Sequence, residues 1–328
     1  MASEHGTDFR VFTYAQATLR EKTVEIRPAG TPAAEPIATI EPAAIVNATG
    51  AWVDDTLARL PVPSRRLMGG TKGSHFLTHQ PRIKELLGGQ GIYTEARDGR
   101  PVFILPFLDG TLVGTTDIPF AGDPAAAIAT EEELDYLVAA AADVFPDAGL
   151  ARDDITLHYC GVRPLPFVDA KTPAAITRRH QLVWNDQSPV PLVSLVGGKL
   201  TTCRSLAEET ATAVLGRLGH PLEHNSRDRP IRPTQVDDAL AAGLASSKSA
   251  AAWSIGHEWG TRLEDLVERR LLLHFSPDLS RRMLADLAGL LIQQGKLDLA
   301  DAQPAIERCA ARLKAHFGID LSRRETPS

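Results

Sequence analysis

The sequence predicts an α/β fold joined to an all-α region, and three observations lead to this class. A buried type of strand at Val193–Val196 runs through two glycines into a helix whose apolar residues recur every four positions. Several strand-like segments follow one another between residues 70 and 159, as in an antiparallel sheet. Beyond residue 260 the apolar stripes have helical spacing, which indicates a small separate helical domain.

Length and composition exclude several classes of protein. With 328 residues, of which 43% are hydrophobic and 23% charged, the chain can form two or three globular units, and disorder is not expected. The net charge of -6 gives no general attraction to nucleic acid, so we predict no nucleic-acid partner. The three cysteines are far apart, which supports neither a disulfide framework nor a metal site and fits a reducing cytosol.

The N-terminal part predicts a hairpin followed by a buried strand. Arg10–Tyr14 and Thr18–Glu25 are rich in Val, Thr and aromatic residues and are predicted as two strands. Residues 30–35 form a polar loop, after which Ala43–Asn47 has the composition of a fully buried strand. Ala2–Gly6 resembles the last turn of a helix whose body is absent, so we expect the chain to begin inside a fold.

The middle of the chain predicts a mostly antiparallel sheet with one helix. Thr130 and Glu133 have the spacing of a capping box, and an apolar stripe of helical period follows them. Gly88–Gly91 is rich in glycine but lies in a polar stretch, and we interpret it as a turn. The predicted strands are Ser74–Thr78, Val102–Phe107, Leu112–Thr116 and Ile155–Tyr159.

The C-terminal part predicts a linker and then helices. Two prolines and the loss of apolar periodicity mark Arg227–Thr234 as the linker. Helical stripes then run over Leu263–Leu271, Leu284–Leu291 and Ile306–Phe317. We therefore predict three domains. Their boundaries are 1–52 with 160–222 for the strand–turn–helix domain, 53–159 for the antiparallel sheet and 235–325 for the helical domain.

The turn after the buried strand is the first candidate site. Gly197 and Gly198 allow a close backbone approach, and Lys199, Leu200 and Thr201 stand where the next helix begins. The unpaired N–H groups and the dipole of a helix start favour negative charge, so this turn suits an anionic group. An ordinary tight turn with the lysine in solvent explains the same residues, and the motif alone does not decide between the two.

Arg163 is the second candidate, because it follows a predicted strand directly and stands on a rigid support. The planar guanidinium gives a phosphate group bidentate, permanently charged hydrogen bonds. A surface arginine in an ion pair is the alternative interpretation.

His75 is the third candidate, since it enters a strand two residues after Gly73. A histidine titrates near neutral pH and suits the removal of a hydroxyl proton when an alcohol is oxidised. A hydrogen-bonded structural histidine is the alternative interpretation. Two further features do not indicate a function by themselves. Asn47–Gly50 closes a buried strand, and Asp117 is predicted to cap a turn rather than to catalyse. The chain has no GxSxG, HExxH, GxxxxGK[ST] or DxDxDG motif.

In their order and spacing, these segments together resemble the FAD-dependent glycerol-3-phosphate dehydrogenases of the D-amino-acid-oxidase-like superfamily. The helical end, over His257–Arg270, is similar to the C-terminal domain of the same family, though more weakly. Five ordered matches are a specific signal where each alone is weak. The matching segments are Ile45–Trp52, Lys72–His75, Val113–Asp117, Cys160–Leu165 and Gly197–Arg204.

The resemblance implies a fold and an activity in glycerol metabolism. It implies a partial FAD-binding, Rossmann-like domain with an inserted substrate-domain sheet and a C-terminal helical domain. The implied reaction oxidises sn-glycerol 3-phosphate to dihydroxyacetone phosphate by hydride transfer to FAD, and a membrane quinone then takes the electrons. We also expect a cytoplasmic protein with peripheral contact at the inner face of the membrane, and a homodimer.

The resemblance also implies roles for residues. His75 would accept a proton, and Arg163 and Lys199 would contact the substrate phosphate or the flavin edge. Charge accumulates on a flavin that accepts hydride, which suits the helix start at the glycine turn. The residues expected to face FAD are Thr49, Gly50, Gly197, Gly198, Lys199, Leu200 and Thr201.

One departure from the family is large. The family opens with a strand, a GxGxxG turn and a helix that bind the FAD pyrophosphate, and this sequence contains no such segment. We therefore expect the isolated chain to bind FAD poorly and to turn over little substrate unless an upstream portion or a partner polypeptide supplies the missing part. A related FAD-dependent oxidase of an amino acid or hydroxy acid, and a non-catalytic remnant of the family, are the alternatives.

Overall fold

The computed structural model describes residues 9–168, 179–220, 226–229 and 248–323. Contacts between Cα atoms divide the chain into two compact units. The first unit is Met1–Thr71, Pro119–Pro124 and Arg163–Pro230; the second is Lys72–Ile118, Ala125–Val162 and Ile231–Ser328. The predicted turn at Ala2–Gly6 and most of the predicted linker at Arg227–Thr234 lie outside the described residues. The three predicted domain boundaries stay a prediction.

A three-stranded antiparallel sheet begins the described part of the first unit. Its strands are β1 (Ala15–Arg20), β2 (Thr23–Pro28) and β3 (Ala38–Ile40). The strands predicted at Arg10–Tyr14 and Thr18–Glu25 were wrong in position. The hairpin reverses at Glu21, whose φ of 53° is in the left-handed region, so the second prediction ran across a turn that has no glycine to mark it.

A second sheet of the first unit contains a parallel pair of strands. β4 (Ile45–Asn47) pairs in parallel with β12 (Leu192–Val196), which also pairs antiparallel with β11 (Gln181–Asn185). Helix α1 (Val53–Arg59) follows β4, and helix α4 (Cys203–Arg217) follows β12. A parallel pair in which a helix follows each strand is the Rossmann-like arrangement that the family resemblance implied.

Strand β4 is less buried than its composition predicts. Asn47 is buried, but Val46 is 45% exposed. Among the strands that the structure describes, β4 pairs only on its β12 side, which makes it an edge strand. The prediction of a fully buried strand was therefore wrong for Val46, because an apolar run does not show how many neighbours a strand has.

The second unit is built on a six-stranded sheet. Its strands are β5 (Thr71–Thr78), β6 (Ile92–Glu95), β7 (Pro101–Phe107), β8 (Gly110–Gly114), β9 (Ile118–Pro119) and β10 (Ile155–Arg163). The strand order is β10–β5–β8–β7–β6, with β9 beside β5. All four predicted strands are present, whereas β6, β9 and the short helix α2 (Pro81–Leu87) were not predicted.

Alternate residues of β5 belong to two different cores. Phe76 packs with residues of α2 and of α3 (Glu131–Val144), whose capping box at Thr130 is confirmed. Leu77 packs with the C-terminal helices α5 (Lys248–His257), α6 (Arg281–Gln293) and α7 (Ala302–Phe317). Because successive side chains of a strand point to opposite faces, helices cover both faces of this sheet.

The C-terminal helices confirm the all-α part of the predicted fold class. One predicted stripe differs in detail: Asp265–Arg270 is a π-helical segment, in which the Leu271 N–H donates to the Leu266 carbonyl over 2.9 Å. Among the described residues, no helix has both the length and the apolar character that crossing a membrane requires.

Candidate functional site

Two glycine turns of the first unit begin at the same edge of its parallel strand pair. Asn47 of β4 lies beside Ser194 of β12 in the parallel register. The Asn47 side-chain amide donates to the Val53 carbonyl over 3.1 Å and to Ser194 Oγ over 3.4 Å, which links the two strands. In open α/β sheets, ligands bind outside the carboxyl ends of the strands. The turns that start at Thr49 and at Gly197 occupy this position.

Both turns need glycine for their backbone conformation. Gly50, Gly197 and Gly198 have φ of 61°, 78° and 92°, in the region that favours glycine. A Cβ atom on Gly197 would lie 3.0 Å from the Arg179 carbonyl oxygen, so the close approach here is to the protein's own backbone. A Cβ atom on Gly50 would have no atom within 4 Å, and the space next to that turn is open.

The helix start after the second turn is exposed. Lys199 precedes a 3-10 turn at Leu200–Thr202, which leads directly into α4. The Leu200 residue is 89% exposed. The first N–H groups of a helix have no intrahelical acceptor, so this turn presents polar donors beside an apolar side chain.

Arg163 stands where β10 ends, and the chain then runs beside the second glycine turn. Leu165 and Phe167 pair with the segment around Gly69 through backbone hydrogen bonds of 2.9 and 2.7 Å. Pro166 lies between them, 3.4 Å from the position of a Cβ atom on Gly197. The structure thus places Arg163 three residues before a contact with the Gly197 turn, within the same unit.

His75 belongs to the second unit, where two features define the position of its ring. The imidazole stacks on the Tyr159 ring with centroids 5.0 Å apart and planes within 9°. Gly114 of β8 lies directly opposite in the antiparallel register, and a Cβ atom there would lie 2.1 Å from His75 Cδ2. The sequence identified the segments Lys72–His75 and Val113–Asp117 separately. In the structure they therefore lie next to each other in one sheet.

Sequence reasoning missed Gly114 and Tyr159 as neighbours of His75. Glycine inside a strand was the available signal for Gly114, because such a glycine often marks a close approach of another group. No signal pointed to Tyr159, since the stack depends on the pairing of β10 with β5.

A buried ion pair lies behind the same strands. Lys72 Nζ is 2.7 Å from Glu133 Oε2 and donates to the Ile128 carbonyl over 2.8 Å. Burial alone would raise the pKa of Glu133, but hydrogen bonds from Lys72, Thr130 and Thr116 outweigh it, and the net pKa is lowered. Glu133 therefore holds a buried negative charge at neutral pH. The sequence identified it only as a helix cap.

The meeting of His75 with Arg163 and Lys199 in one site stays a prediction, as do the roles of all three residues. Within the described ranges, no group of three or more His, Cys, Asp or Glu side chains is arranged to hold a metal ion.

A comparison with protein families identifies the class. The family model for FAD dependent oxidoreductases, DAO, matches residues 2–203, so the chain belongs to this family. The chain is also similar to the glycerol-3-phosphate dehydrogenase of Synechocystis sp., with 33% identity over 308 residues that cover 87% of this chain and 51% of the relative. The aerobic glycerol-3-phosphate dehydrogenase of Staphylococcus haemolyticus is 28% identical over 238 residues, 72% of this chain and 42% of the relative.

A solved structure has the same fold. The glycerol-3-phosphate dehydrogenase of Bacillus halodurans, solved in complex with FAD, superposes with a TM-score of 0.71 over 93% of this chain and 69% of that chain, at 22% identity. The predicted family and fold class are therefore confirmed. The chain spans about half the length of the Synechocystis relative and less of the staphylococcal one.

Proposed function

We propose that this protein takes part in the FAD-dependent oxidation of sn-glycerol 3-phosphate to dihydroxyacetone phosphate. The observation that carries the proposal is the pair of glycine turns at the adjacent carboxyl ends of β4 and β12, with Leu200 exposed beside them. Membership of the FAD dependent oxidoreductase family and the similarity to glycerol-3-phosphate dehydrogenases support the cofactor and the substrate.

The first unit would hold the flavin. Bound FAD supplies the acceptor for the hydride that leaves the substrate carbon. The helix start would place the Leu200 and Thr201 N–H groups and the Lys199 side-chain charge at the ring edge, where negative charge grows during reduction. The residues that we propose to contact FAD are Thr49, Gly50, Gly197, Gly198, Lys199, Leu200 and Thr201.

His75 would take the proton of the reacting hydroxyl. As the hydride leaves the carbon, the O–H bond must break so that the carbonyl group can form, and an imidazole can accept that proton near neutral pH. Its stack on Tyr159 and the contact with Gly114 hold the ring in one place, which a general base requires. Catalysis would then lose little to side-chain disorder.

Arg163 and Lys199 would bind the phosphate end of the substrate. Arg163 is partly buried where a strand ends, and its guanidinium can hold two phosphate oxygens at once. Lys199 is exposed next to the glycine turn and can add a point charge. Binding the phosphate at a distance from the reacting carbon would limit the orientations that the substrate can take.

We further propose a quinone as the final electron acceptor, which requires peripheral contact with a membrane. The support for this acceptor is the family resemblance of the five sequence segments. Co-sedimentation with vesicles that contain a quinone, together with quinone reduction in the presence of glycerol 3-phosphate, tests it. Reduction of soluble dyes alone, with no reduction of the quinone, would contradict it.

The main test is direct. Purified protein is mixed with FAD, the flavin fluorescence is recorded as a binding signal, and sn-glycerol 3-phosphate is added without oxygen. Because this sequence has no GxGxxG segment, we expect weak flavin binding and slow bleaching of the visible flavin absorption that depends on the substrate. Bleaching by glycine or another amino acid, but not by glycerol 3-phosphate, would instead support the related oxidase. Absence of flavin reduction even at saturating FAD, and with a polypeptide that supplies the GxGxxG segment, would support a non-catalytic remnant.

A matched pair of variants locates the flavin. Leu200→Asp adds a negative charge at the proposed ring edge, and we expect the dissociation constant for FAD to rise about tenfold, which corresponds to about 1.4 kcal/mol. Leu299→Asp is the control, since Leu299 is 78% exposed and lies in the second unit. Equal effects of both substitutions on FAD binding would refute this location.

A further inference from the structure

Glu133 makes more contacts than a helix cap needs. It is the third residue of α3 and only 2% exposed. The capping box accounts for one contact, the Thr130 N–H donating to Glu133 Oε2 over 3.0 Å. The same carboxylate also accepts from Lys72 Nζ and from Thr116 Oγ1, each over 2.7 Å. These two extra contacts connect the helix to the strand β5 and to the segment that follows β8.

The contact with Thr116 reaches the backbone next to His75. Thr116 Oγ1 accepts a hydrogen bond of 2.8 Å from the Ser74 N–H, and the Thr116 N–H donates to the Ser74 carbonyl over 3.4 Å. Ser74 directly precedes His75, and Thr116 follows Gly114 by two residues. Glu133 therefore holds together the two backbone segments that carry His75 and the glycine beneath its ring.

Glu133 does this from the opposite face of the sheet. Successive side chains of a strand alternate, so Lys72 and Ser74 share one face of β5 while His75 and Leu77 share the other. Phe76, on the Glu133 face, packs with α3, and Leu77 packs with the C-terminal helices. Any influence of Glu133 on the imidazole must therefore pass through the backbone of β5.

We propose that Glu133 is a positioning residue for His75. Through Thr116 and Lys72 it sets the separation between β5 and the end of β8, so that the imidazole rests over Gly114 and against Tyr159. The meaning of this placement for catalysis rests on the proposed function, in which His75 accepts the substrate proton. The placement itself does not depend on that function.

The test observes the His75 ring and the Ser74 amide directly, in full-length protein with isotope-labelled histidine and serine. The His75→Gln variant assigns the His75 signal by its disappearance. In Glu133→Gln we expect the His75 ring protons to lose the ring-current shift that the stacked Tyr159 causes, and the Ser74 amide to exchange about tenfold faster with solvent. Unchanged His75 signals in a folded Glu133→Gln protein would overturn the proposal.

Control variants separate positioning from general stability. Thr130→Ala removes the hydroxyl of the helix cap but leaves the contacts of Glu133 with Lys72 and Thr116, so His75 should keep its signals. Thr116→Val removes the hydroxyl that joins Glu133 to Ser74, and we expect it to move the His75 signals. Thr116→Ser keeps that hydroxyl, so its His75 signals should match those of the unchanged protein.

If Glu133→Gln does not fold, the variants Thr116→Val and Thr116→Ser still test the proposal, because both keep the buried ion pair of Lys72 and Glu133. Equal His75 signals in Thr116→Val and in the unchanged protein would overturn the proposal. The rate with FAD and glycerol 3-phosphate is a separate readout, for which we expect kcat to fall and KM to stay the same. A moved His75 ring with an unchanged rate would contradict the proton-acceptor role of His75 and leave its positioning by Glu133 standing.

Discussion

His75 in the second unit lies between a tyrosine ring and a glycine that leaves room for it, whereas Leu200 in the first unit is 89% exposed. The six-stranded sheet around His75 has helices on both faces, and the polar network behind it is buried. The three-stranded sheet beside Leu200 ends, among described strands, at the exposed edge strand β4. The candidate residue of the second unit is thus enclosed by packing, whereas that of the first unit is exposed.

The two units define their candidate residues by different means: side-chain packing in the second unit and backbone conformation in the first. In the second unit, packing sets the orientation of the His75 imidazole. Tyr159 stacks on the ring, Gly114 lies close to it, and the hydrogen bonds of Glu133 connect the backbone segments on the other face of β5. In the first unit, backbone conformation decides the shape of two turns, and their outer surface stays open. This open surface is the position that we propose for the flavin ring.

The largest effect is expected from Gly114→Ala in the second unit. The new Cβ atom would lie 2.1 Å from His75 Cδ2, so either the imidazole or the strand must move. Overpacking of this kind costs about 3 kcal/mol, which urea denaturation measures as a lower midpoint. Gly289→Ala is the control, because a Cβ atom there has no neighbour within 4 Å and the position is inside α6, where alanine should stabilise the helix. A Gly114→Ala protein of unchanged stability and unchanged His75 signals would contradict the packing argument.

A smaller effect is expected from pH, and it too belongs to the second unit. Burial lowers the pKa of His274, and burial together with the Arg152 charge lowers the pKa of His158. The folded state therefore keeps both rings neutral at a pH where the unfolded chain already binds protons. Stability should fall as the pH drops below about 6.5 toward the lowered values.

The His274→Asn variant isolates one of these histidines. His274 Nδ1 is 3.2 Å from the Val267 carbonyl, and an asparagine amide can donate to the same oxygen without titrating. The free energy of unfolding, measured by denaturation at several pH values, should depend less steeply on pH in this variant. An identical slope in both proteins would show that His274 does not contribute.

The smallest effect on stability is expected from thiol modification, which compares the units directly. Cys203 is exposed at the first residue of α4, whereas burial raises the pKa of Cys160 to about 11 and that of Cys309 to about 12. Because the thiolate is the reactive form, only Cys203 should react quickly with a maleimide in native protein. Mass spectrometry of the labelled protein reads this out. Cys203→Ser should abolish the fast reaction, and rapid labelling of either other cysteine would contradict the buried core of the second unit.

Strong local patterns made parts of this fold predictable. The capping box at Thr130 and Glu133 located the start of α3, and the glycine turn located the junction of β12 with α4. Each signal is local, so tertiary contacts did not alter it. Weaker patterns failed. The turn at Glu21 has no glycine, and the seven-residue helix α2 is too short for a clear apolar period.

The same distinction between local signals and tertiary contacts applies to the candidate site. The residue types of the Gly197–Thr201 turn, Arg163 and His75 were visible in the sequence, since each suits a particular chemistry by itself. Their neighbours were not visible. Gly114, Tyr159 and Glu133 are far from His75 along the chain, and strand pairing or helix packing brings them to it.

The sequence by itself determined the class of protein and the order of its main elements, and it supplied the candidate residues for flavin chemistry, because composition, periodicity and short motifs are properties of neighbouring residues. Tertiary structure alone decided that Gly114 leaves room for the His75 ring, that Tyr159 stacks on it and that the carboxylate of a helix cap reaches the strand behind it. Such contacts depend on register and on the packing of distant segments, and no local pattern encodes either.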